Sequence, residues 1–253
     1  MSDRVLIKAA LNGASGAPAP LAPEAAAEEG RRAVEAGAAM VHVHARTADG
    51  AESSDPAWYA AFLERFSAMC SDVPVSVTTK RTPRLLEHVR AWQPAPEVCS
   101  VNMGSALDPW QDLLAILRSR QIAIEAGAAD FGMLDAVNAD AGKFCQLILL
   151  VEADGGDRFA TARRYLELRD HARARKFRER IVAHGRGDAT WGVVGTALAC
   201  GDHVRVGLED ARTLASGEPA RSNGDLVANA VRMAEALGRV PLEPKDLAAL
   251  KRR

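Results

Sequence analysis

The sequence predicts an α/β fold, a single (β/α)8 TIM barrel over residues 1–253. Short apolar runs rich in valine and isoleucine alternate with longer stretches of helical periodicity, eight times along the chain. Eight such units in 253 residues match the repeat count and the usual length of this barrel. An open doubly wound sheet is the competing architecture, but residues 12–16 (NGASG), after the first strand, lack the spacing of a GxGxxG dinucleotide motif.

The eight units follow in order, each an apolar strand pattern and then a helical one. Pro23 and Gly37 fit the start and the end of the first helix. In the first four units the predicted strand and helix are residues 5–10 and 23–37, 40–45 and 55–70, 74–78 and 83–91, and 98–102 and 109–119. In the last four they are residues 122–126 and 133–141, 144–151 and 158–177 (one or two helices), 180–184 and 189–200, and 203–206 and 222–237. A terminal helix over residues 245–253 is expected to fray.

Composition and charge exclude several classes of function. Acidic and basic residues nearly cancel, 33 against 32, so the chain lacks the basic character of a nucleic-acid-binding protein. No apolar stretch reaches about 18 residues, the length of a membrane span, and no signal peptide is evident. The four cysteines are far apart and include no CxxC pair, which argues against a disulfide framework. We therefore expect a soluble, cytoplasmic protein that binds neither nucleic acid nor membrane.

The second predicted strand carries polar side chains at every second position, in MVHVHAR (residues 40–46). A period of two places His42, His44 and Arg46 on one face of the strand. Two imidazoles at positions i and i+2 can bind one divalent metal such as zinc. A pair of buried, hydrogen-bonded histidines is the alternative, because an HxH motif alone is weak.

The eighth predicted strand supplies further candidates in GDHVRVGLED (residues 201–210). Only the first strand separates strands 2 and 8 in a closed barrel, so Glu209 is a plausible third ligand. Two histidines and one carboxylate leave a coordination position open, as in catalytic zinc sites. Arg205 can hold Asp210 ionised and position it as a base, although such a pair can also be purely structural.

Other polar residues near strand ends are weaker candidates. His184, at the end of the seventh strand, is a spare candidate for the metal or substrate site, ranked below Glu209. His203 begins the last strand and is expected to pack or cap rather than to bind a metal. Thr78, Ser100 and Asn102 could line a polar pocket, or they could simply form hydrogen bonds with the backbone of the loops.

Together, these motifs resemble the β-keto acid cleavage enzymes, whose founding activity is the cleavage of 3-keto-5-aminohexanoate in lysine fermentation. The resemblance covers nearly the whole chain, through IKAALNGA (7–14), EAGAAMVHVHAR (35–46), DG (49–50), SVNMG (100–104), FGM (131–133), GDHVRVGLED (201–210) and SN (222–223). The family fold is a TIM barrel, in agreement with the strand count.

The resemblance also implies a reaction and roles for particular residues. The metal ligands would be His42, His44 and Glu209, with zinc as the metal, and Arg205 and Asp210 would be catalytic. Substrate contacts fall on Thr78, Ser100 and Asn102. The implied reaction is a Claisen-type exchange that joins a β-keto acid with acetyl-CoA as co-substrate and gives acetoacetate and an acyl-CoA. A homo-oligomer is implied by the family alone.

Three departures from the family pattern concern the substrate. The family motif Ser-Thr-Gly-Gly is replaced by Thr78-Thr-Lys80-Arg81, which adds two cations. Ser15 replaces a glutamate that lies near the amine of the founding substrate, and Gly127 replaces a second glutamate, leaving Glu125 alone. If these positions all face the pocket, it gains positive charge, so we expect an anionic substrate that contacts Ser15, Lys80 and Arg81.

Two alternatives to this reaction stay open. A metal-dependent aldolase or hydrolase could act on a small carboxylate without CoA. The missing glutamates could also mark a metal-bearing binding protein that has lost catalysis.

Overall fold

A closed barrel of eight parallel strands forms the centre of the protein in the computed structural model. The structure describes residues 3–13, 20–80, 82–103, 110–138, 144–152, 157–177 and 179–251. The barrel strands are β1 Ile7–Ala10, β2 Met40–Val43, β3 Val75–Thr78, β4 Val98–Asn102, β5 Ala123–Ala128, β6 Gln146–Glu152, β7 Arg180–Arg186 and β8 His203–Val206. Each strand pairs with the next along the chain, and β8 pairs with β1. The predicted TIM barrel is therefore confirmed.

One α-helix follows each barrel strand. These helices are α1 Pro23–Glu35, α2 Pro56–Met69, α3 Leu85–Ala91, α4 Trp110–Ser119, α5 Phe131–Asn138, α6 Arg158–Ala174, α7 Thr190–Ala199 and α8 Asn223–Ala236. Side-chain caps fix some of their starts, since Asp55 accepts the N–H of Ala57 and Ser222 accepts the N–H of Asp225. None of the described helices is long and apolar enough to cross a membrane.

The second strand is shorter than predicted, and this changes the place of Arg46. The barrel ladder of β2 ends at Val43, and Ala45–Arg46 pairs instead with Glu52–Ser53 in a separate antiparallel ribbon. Arg46 is buried there and donates to the carbonyl oxygen of Gly50. Contrary to the prediction, Arg46 therefore does not belong to the barrel strand that carries His42, and it is not among the residues that line the cavity described below.

Side chains of the barrel strands alternate between the inside of the barrel and the surrounding helices. On β2, Val41 and Val43 belong to the larger apolar cluster, which includes the inner faces of the helices. Met40 belongs to a smaller cluster inside the barrel, together with Leu6, Val98, Ala123, Ile148 and Val182. His42 follows Met40 on the inward face, so it lies above this apolar floor.

The next inward positions of the barrel are polar. The ladder register places Lys8 beside Arg205, and Arg205 beside His184. On the other side of the barrel, Ser100 lies beside Glu125. Parallel strands present their carboxyl ends at the same mouth, so these polar and charged residues lie together above the apolar floor and below the loops.

Candidate active site

The two histidines of the HxH motif point toward one centre at the end of β2. His42 and His44 are both buried, and their Nε2 atoms are 3.1 Å apart. Their rings meet edge to face, with centroids 5.0 Å apart and an angle of 85° between the planes. Two zinc–nitrogen bonds at a tetrahedral angle would place the nitrogens about 3.4 Å apart, so the observed spacing suits a shared metal.

Glu209 completes a cluster with these histidines. One carboxylate oxygen lies 3.4 Å from the Nε2 of His44, and the other lies 3.8 Å from the Nε2 of His42. One ligand atom from each of the three residues falls within 4.8 Å of the others. Nitrogen from histidine and oxygen from a carboxylate are donors that zinc accepts, so the set fits one divalent metal.

Two glycines make room for Glu209. A Cβ atom on Gly13 would lie 1.9 Å from the Cγ of Glu209, so only glycine lets that side chain pass. A Cβ atom on Gly207 would lie 1.9 Å from the carbonyl oxygen of Ala10. The loop after β8 can therefore lie against the end of β1, and it does so with the N–H of Glu209 3.3 Å from the same carbonyl oxygen.

Each histidine is also held at its Nδ1 atom. The Nδ1 of His42 is 3.1 Å from the hydroxyl of Ser76, and the Nδ1 of His44 is 3.0 Å from a carboxylate oxygen of Glu52. Partners of this kind fix the ring orientation of metal-binding histidines, so both Nε2 atoms are directed at the centre. Sequence reasoning missed Glu52, although its place in the ribbon after the motif makes this contact local.

The charges around the centre shift the pKa values of its residues in opposite directions. Burial and Arg205 lower the pKa of His42 well below its usual value. Burial would also lower the pKa of His44, but the Glu209 and Glu52 carboxylates outweigh it and raise that pKa. Burial opposes ionisation of Glu209, yet Arg205 and the histidines hold its pKa well below the usual range. The cluster thus favours an ionised carboxylate.

A buried polar network lies next to the histidines. The ammonium of Lys8 is 2.7 Å from one carboxylate oxygen of Glu125 and also contacts the other, and both side chains are fully buried. The hydroxyl of Ser76 donates to Glu125 at 2.6 Å, and the amide of Gln146 also donates to this carboxylate. Glu125 is therefore held inside the barrel by Lys8, Ser76 and Gln146. The sequence feature that could have indicated this network is a lysine and a glutamine at inward positions of otherwise apolar strands.

Arg205 binds Asp210 through two parallel hydrogen bonds. Its Nε and Nη2 atoms lie 2.9 and 2.8 Å from the two carboxylate oxygens, and Nη2 also contacts Glu209. His184 approaches from the other side, with its Nε2 atom 2.8 Å from one Asp210 oxygen. Burial would raise the pKa of Asp210, but Arg205 and His184 lower it. Both interpretations of the Arg–Asp pair, a structural ion pair and a positioned base, are compatible with this geometry.

These residues line a cavity of about 860 Å³ at the mouth of the barrel. Nine of the predicted site residues line it: His42, His44, Thr78, Lys80, Ser100, Asn102, Arg205, Glu209 and Asp210. Two others, Ser15 and Arg81, lie outside the described residues. Sequence reasoning missed Glu152 and Arg186 in the lining, because β6 and β7 each extend beyond their predicted ends, at 151 and 184.

Gly127 on β5 lies beside Asn102 of β4 in the ladder, close to the Asn102 side chain. A Cβ atom on Gly127 would lie 2.3 Å from the Oδ1 atom of Asn102. Any side chain at position 127 would therefore displace Asn102 from its present place. The absence of a glutamate at Gly127 and the position of Asn102 are thus linked.

Sequence comparison matches residues 4–250 to the beta-keto acid cleavage enzyme family. The 3-keto-5-aminohexanoate cleavage enzyme of Fusobacterium nucleatum subsp. nucleatum is 27% identical and aligns over 100% of both chains. The enzyme of the same name from Acetoanaerobium sticklandii is 25% identical over 96% of both chains. A 3,5-dioxohexanoate:acetyl-CoA acetone transferase of Paraburkholderia graminis is 37% identical over 112 residues, 40% of this chain and 36% of that protein.

Among solved structures, the apo structure of ObcA superposes with a TM-score of 0.77 at 17% identity. It aligns with 92% of this chain, which spans 65% of the ObcA chain. A complex of ObcA with oxaloacetate gives a TM-score of 0.75 at 18% identity and covers 92% of this chain and 66% of that one. At this level of identity the likeness bears on the fold, and it agrees with the barrel.

Proposed function

The chain belongs to the beta-keto acid cleavage enzyme family, and on this premise we propose that it cleaves a β-keto acid with acetyl-CoA, giving acetoacetate and an acyl-CoA. The observation that carries this proposal is the cluster of His42, His44 and Glu209 beside the Arg205–Asp210 pair, in one cavity. A relative named as an acetyl-CoA acetone transferase, and an ObcA structure with a C4-CoA adduct and oxalate, also support it.

We assign the cluster of His42, His44 and Glu209 to one divalent metal, zinc. Two imidazoles, each neutral once it binds a metal, and one carboxylate suit zinc and leave a position open for substrate. When bound, such a metal supplies Lewis acidity that polarises the keto and carboxylate oxygens of the substrate. Ser76 and Glu52 hold the two imidazole rings in their present orientation, so the rings need to move little in order to bind the metal.

The exchange of carbon units requires a proton to leave the carbon between the keto and carboxyl groups, and to return to it later. We propose that Arg205 and Asp210 support this transfer, since the pair is buried beside the cluster. The fixed guanidinium keeps the Asp210 carboxylate ionised and aligned. Thr78, Ser100 and Asn102, on β3 and β4, are proposed to bind the substrate through their hydroxyl and amide groups.

We propose that the substrate carries a second anionic group. Lys80 follows β3 and Arg186 ends β7, two strands on opposite sides of the barrel, and both side chains line the cavity. Their side chains are 51% and 42% exposed, with Glu52 at 3.4 Å from Lys80 and Glu152 at 3.3 Å from Arg186. These partly exposed cations can therefore turn toward an anionic ligand. Ser15 and Arg81 are also proposed to contact the substrate, on the basis of the sequence pattern alone.

A matched pair of substrates tests this function. The probes are 3-oxohexanoate and 3-oxohexanedioate, which differ only in a terminal methyl or carboxylate, each supplied with acetyl-CoA. We expect acetoacetate from both, with kcat/KM about tenfold higher for the dianion, a preference of about 1.4 kcal/mol. Absence of acetoacetate contradicts the proposal. Loss of the β-keto acid without acetyl-CoA would instead support the aldolase or hydrolase alternative, and ligand binding without turnover the binding-protein alternative.

Lys80 variants test the anionic preference separately. Lys80→Gln should reduce the preference for the dianion several-fold, whereas the charge-retaining variant Lys80→Arg should keep most of it. An unchanged preference in Lys80→Gln would show that Lys80 does not recognise the second anion.

We also propose a homo-oligomer in a reducing cytoplasm. The four cysteines are free, which suits a reducing compartment. Phe159 on α6 is 70% exposed and Phe131 on α5 is 41% exposed, so this side of the barrel offers apolar surface for a second copy. Light scattering of the purified protein tests the oligomer, and a monomeric mass at micromolar concentration would contradict it.

A further inference from the structure

Glu125 lies at the centre of the buried polar network inside the barrel, and its side chain does not line the cavity. Its partners Lys8, Ser76 and Gln146, on strands β1, β3 and β6, are also fully buried. Burying an ion pair costs more than burying apolar side chains of the same size. The roles proposed above use neither Lys8 nor Glu125, and Ser76 is the residue that connects them to the site.

Every contact that the structure shows for the Glu125 side chain comes from a donor. The ammonium of Lys8 contacts both carboxylate oxygens, and the amide nitrogen of Gln146 donates to one of them. The hydroxyl oxygen of Ser76 is 2.6 Å from the other oxygen, Oε2. This is the separation of a hydroxyl that donates to a carboxylate, and such charge-assisted bonds are the stronger ones. The single hydrogen of the Ser76 hydroxyl therefore goes to Glu125.

The direction of this hydrogen bond has a consequence for His42. The Ser76 oxygen is 3.1 Å from the Nδ1 of His42, its neighbour in the ladder between β2 and β3. Because the Ser76 hydrogen points to Glu125, the oxygen offers only a lone pair to the imidazole. Nδ1 must then carry the hydrogen of the neutral ring, and Nε2 keeps its lone pair. Nε2 is the atom that faces His44 and Glu209.

We propose that Glu125 is a positioning residue for the assigned zinc site, and that it fixes the tautomer of His42 through the hydroxyl of Ser76. Lys8 holds the carboxylate in place as the acceptor. This inference rests on the proposed function, which assigns the metal. His44 has a direct counterpart, since a carboxylate oxygen of Glu52 is 3.0 Å from its Nδ1. One histidine is thus oriented by a carboxylate itself, and the other by a carboxylate acting through a hydroxyl.

Reversal of the Ser76 hydroxyl would give the opposite tautomer. Without an acceptor at position 125, the hydroxyl would donate to the Nδ1 of His42, and the ring would carry its hydrogen on Nε2. A hydrogen on Nε2 occupies the lone pair that a metal needs, so the ring would have to change tautomer before it could bind. Residue 125 therefore affects zinc affinity from outside the set of proposed ligands.

Three variants and a control separate this effect from loss of packing. Ser76→Ala removes the connection, Lys8→Met/Glu125→Met removes the acceptor without leaving an unpaired charge, and a third protein carries all three substitutions. Methionine is used at position 125 because glutamine would still offer Ser76 an oxygen. The control is Tyr165→Phe, which also removes a buried hydroxyl that donates to a carboxylate, that of Asp202 at 2.8 Å. Asp202 precedes β8, at the opposite end of the barrel from the cavity.

Two measurements are made on each protein. Competition with a chelator gives the Zn²⁺ affinity. NMR of the metal-free protein with ¹⁵N-labelled histidine shows which ring nitrogen of His42 carries the hydrogen, at about pH 8, where an ordinary imidazole is neutral. The His42 signals are assigned by their absence from His42→Asn.

We expect the hydrogen of His42 on Nδ1 in the wild type and in Tyr165→Phe, and on Nε2 in the double variant. The Zn²⁺ affinity should fall by about ten- to a hundredfold in Ser76→Ala and in the double variant. Adding Ser76→Ala to the double variant should then raise the affinity several-fold, because the hydroxyl that donates to Nδ1 is gone. A network that only packs the barrel would give no such change of sign.

Several outcomes would overturn the assignment. A hydrogen on the Nε2 of His42 in the wild type does so at once, and this measurement requires no variant to fold. An unchanged Zn²⁺ affinity in Ser76→Ala also does so, as does a further loss of affinity when this substitution is added to the double variant; in both cases the proposed function stands. A wild type that binds no Zn²⁺ removes the proposed metal site, and this inference with it.

Discussion

Gly207 and Ala10 approach so closely that a Cβ atom on the glycine would lie 1.9 Å from the carbonyl oxygen of the alanine. The obstacle is backbone at the end of a barrel strand, so it cannot rotate away as a side chain can. This contact sets the path of the loop that carries Glu209 and Asp210 over the mouth of the barrel. A glycine two residues from a proposed metal ligand therefore helps to determine where that ligand lies.

Substitution of this glycine should lower the stability of the protein. We expect Gly207→Ala to lower the free energy of unfolding by about 3 kcal/mol or more, because strand β8 or its loop must move. Gly195→Ala is the matched control, since its Cβ would meet only the flexible end of Met233, at 3.5 Å. Because alanine favours the helical conformation of α7 more than glycine does, this variant should raise the free energy of unfolding by about 0.5–1 kcal/mol. Urea unfolding measures the stability of both variants, and an equal change in the free energy of unfolding in the two would contradict the prediction.

The fold was largely predictable from the sequence because strand and helix periods are local properties. Eight apolar runs, each followed by a helical pattern, fixed the number of strands, and the helix boundaries came within three residues of the observed ones. The carboxyl ends of the strands were less predictable. β7 continues through Gly185 to Arg186, a stretch whose composition is typical of a loop, and the inward place of Arg186 was missed for that reason.

The candidate site was predictable where its residues lie on motifs, and less so where the barrel brings distant residues together. A period of two directed His42 and His44 to one face. The partners of Lys8 could not be inferred, because Glu125 is 117 residues away and only the closed barrel brings them together. Periodicity indicates which side chains face inward, whereas their pairing depends on the ladder register and the diameter of the barrel.

The buried pair of Lys8 and Glu125 should couple strongly in stability. Lys8→Met leaves a fully buried carboxylate without its cation, so we expect a loss of about 3–5 kcal/mol in the free energy of unfolding. The double variant Lys8→Met/Glu125→Gln should recover most of this loss, because no unpaired charge is left inside the barrel. Urea unfolding of the wild type and the single and double variants measures the coupling. Additive single effects would contradict it.

Glu52 should tune the affinity of the proposed metal site through His44. In Glu52→Gln, the negative charge beside the Nδ1 of His44 is removed while the shape of the side chain is kept. We expect Zn²⁺ affinity to fall by about ten- to a hundredfold, measured by competition with a chelator. Glu87→Gln is the control, because Glu87 also lines the cavity but pairs with Arg84. Equal affinity in both variants would indicate that Glu52 does not act on the metal site.

His203 should make the stability of the barrel depend on pH. Its neutral Nδ1 atom accepts the N–H of Leu6 at 2.9 Å, which agrees with the expected packing or capping role. Burial, together with Arg180 and Arg239, lowers the pKa of His203 to about 4, whereas an unfolded histidine titrates near 6.5. Between these values the unfolded chain binds a proton that the folded chain excludes, so acidification favours unfolding.

The contribution of His203 is therefore fully present above pH 6.5 and is lost as the pH falls toward about 4. We expect about 3 kcal/mol of the free energy of unfolding to be lost across this window from this residue. His203→Asn keeps an acceptor near the Leu6 N–H but has no titratable ring, so its stability should fall less steeply with acid. Urea unfolding of both proteins between pH 4.5 and pH 7.5, a range set by these two pKa values, measures the difference in slope. Parallel curves would mean that His203 takes up its proton equally in both states, and the burial of its ring at the base of β8 would then have no electrostatic consequence.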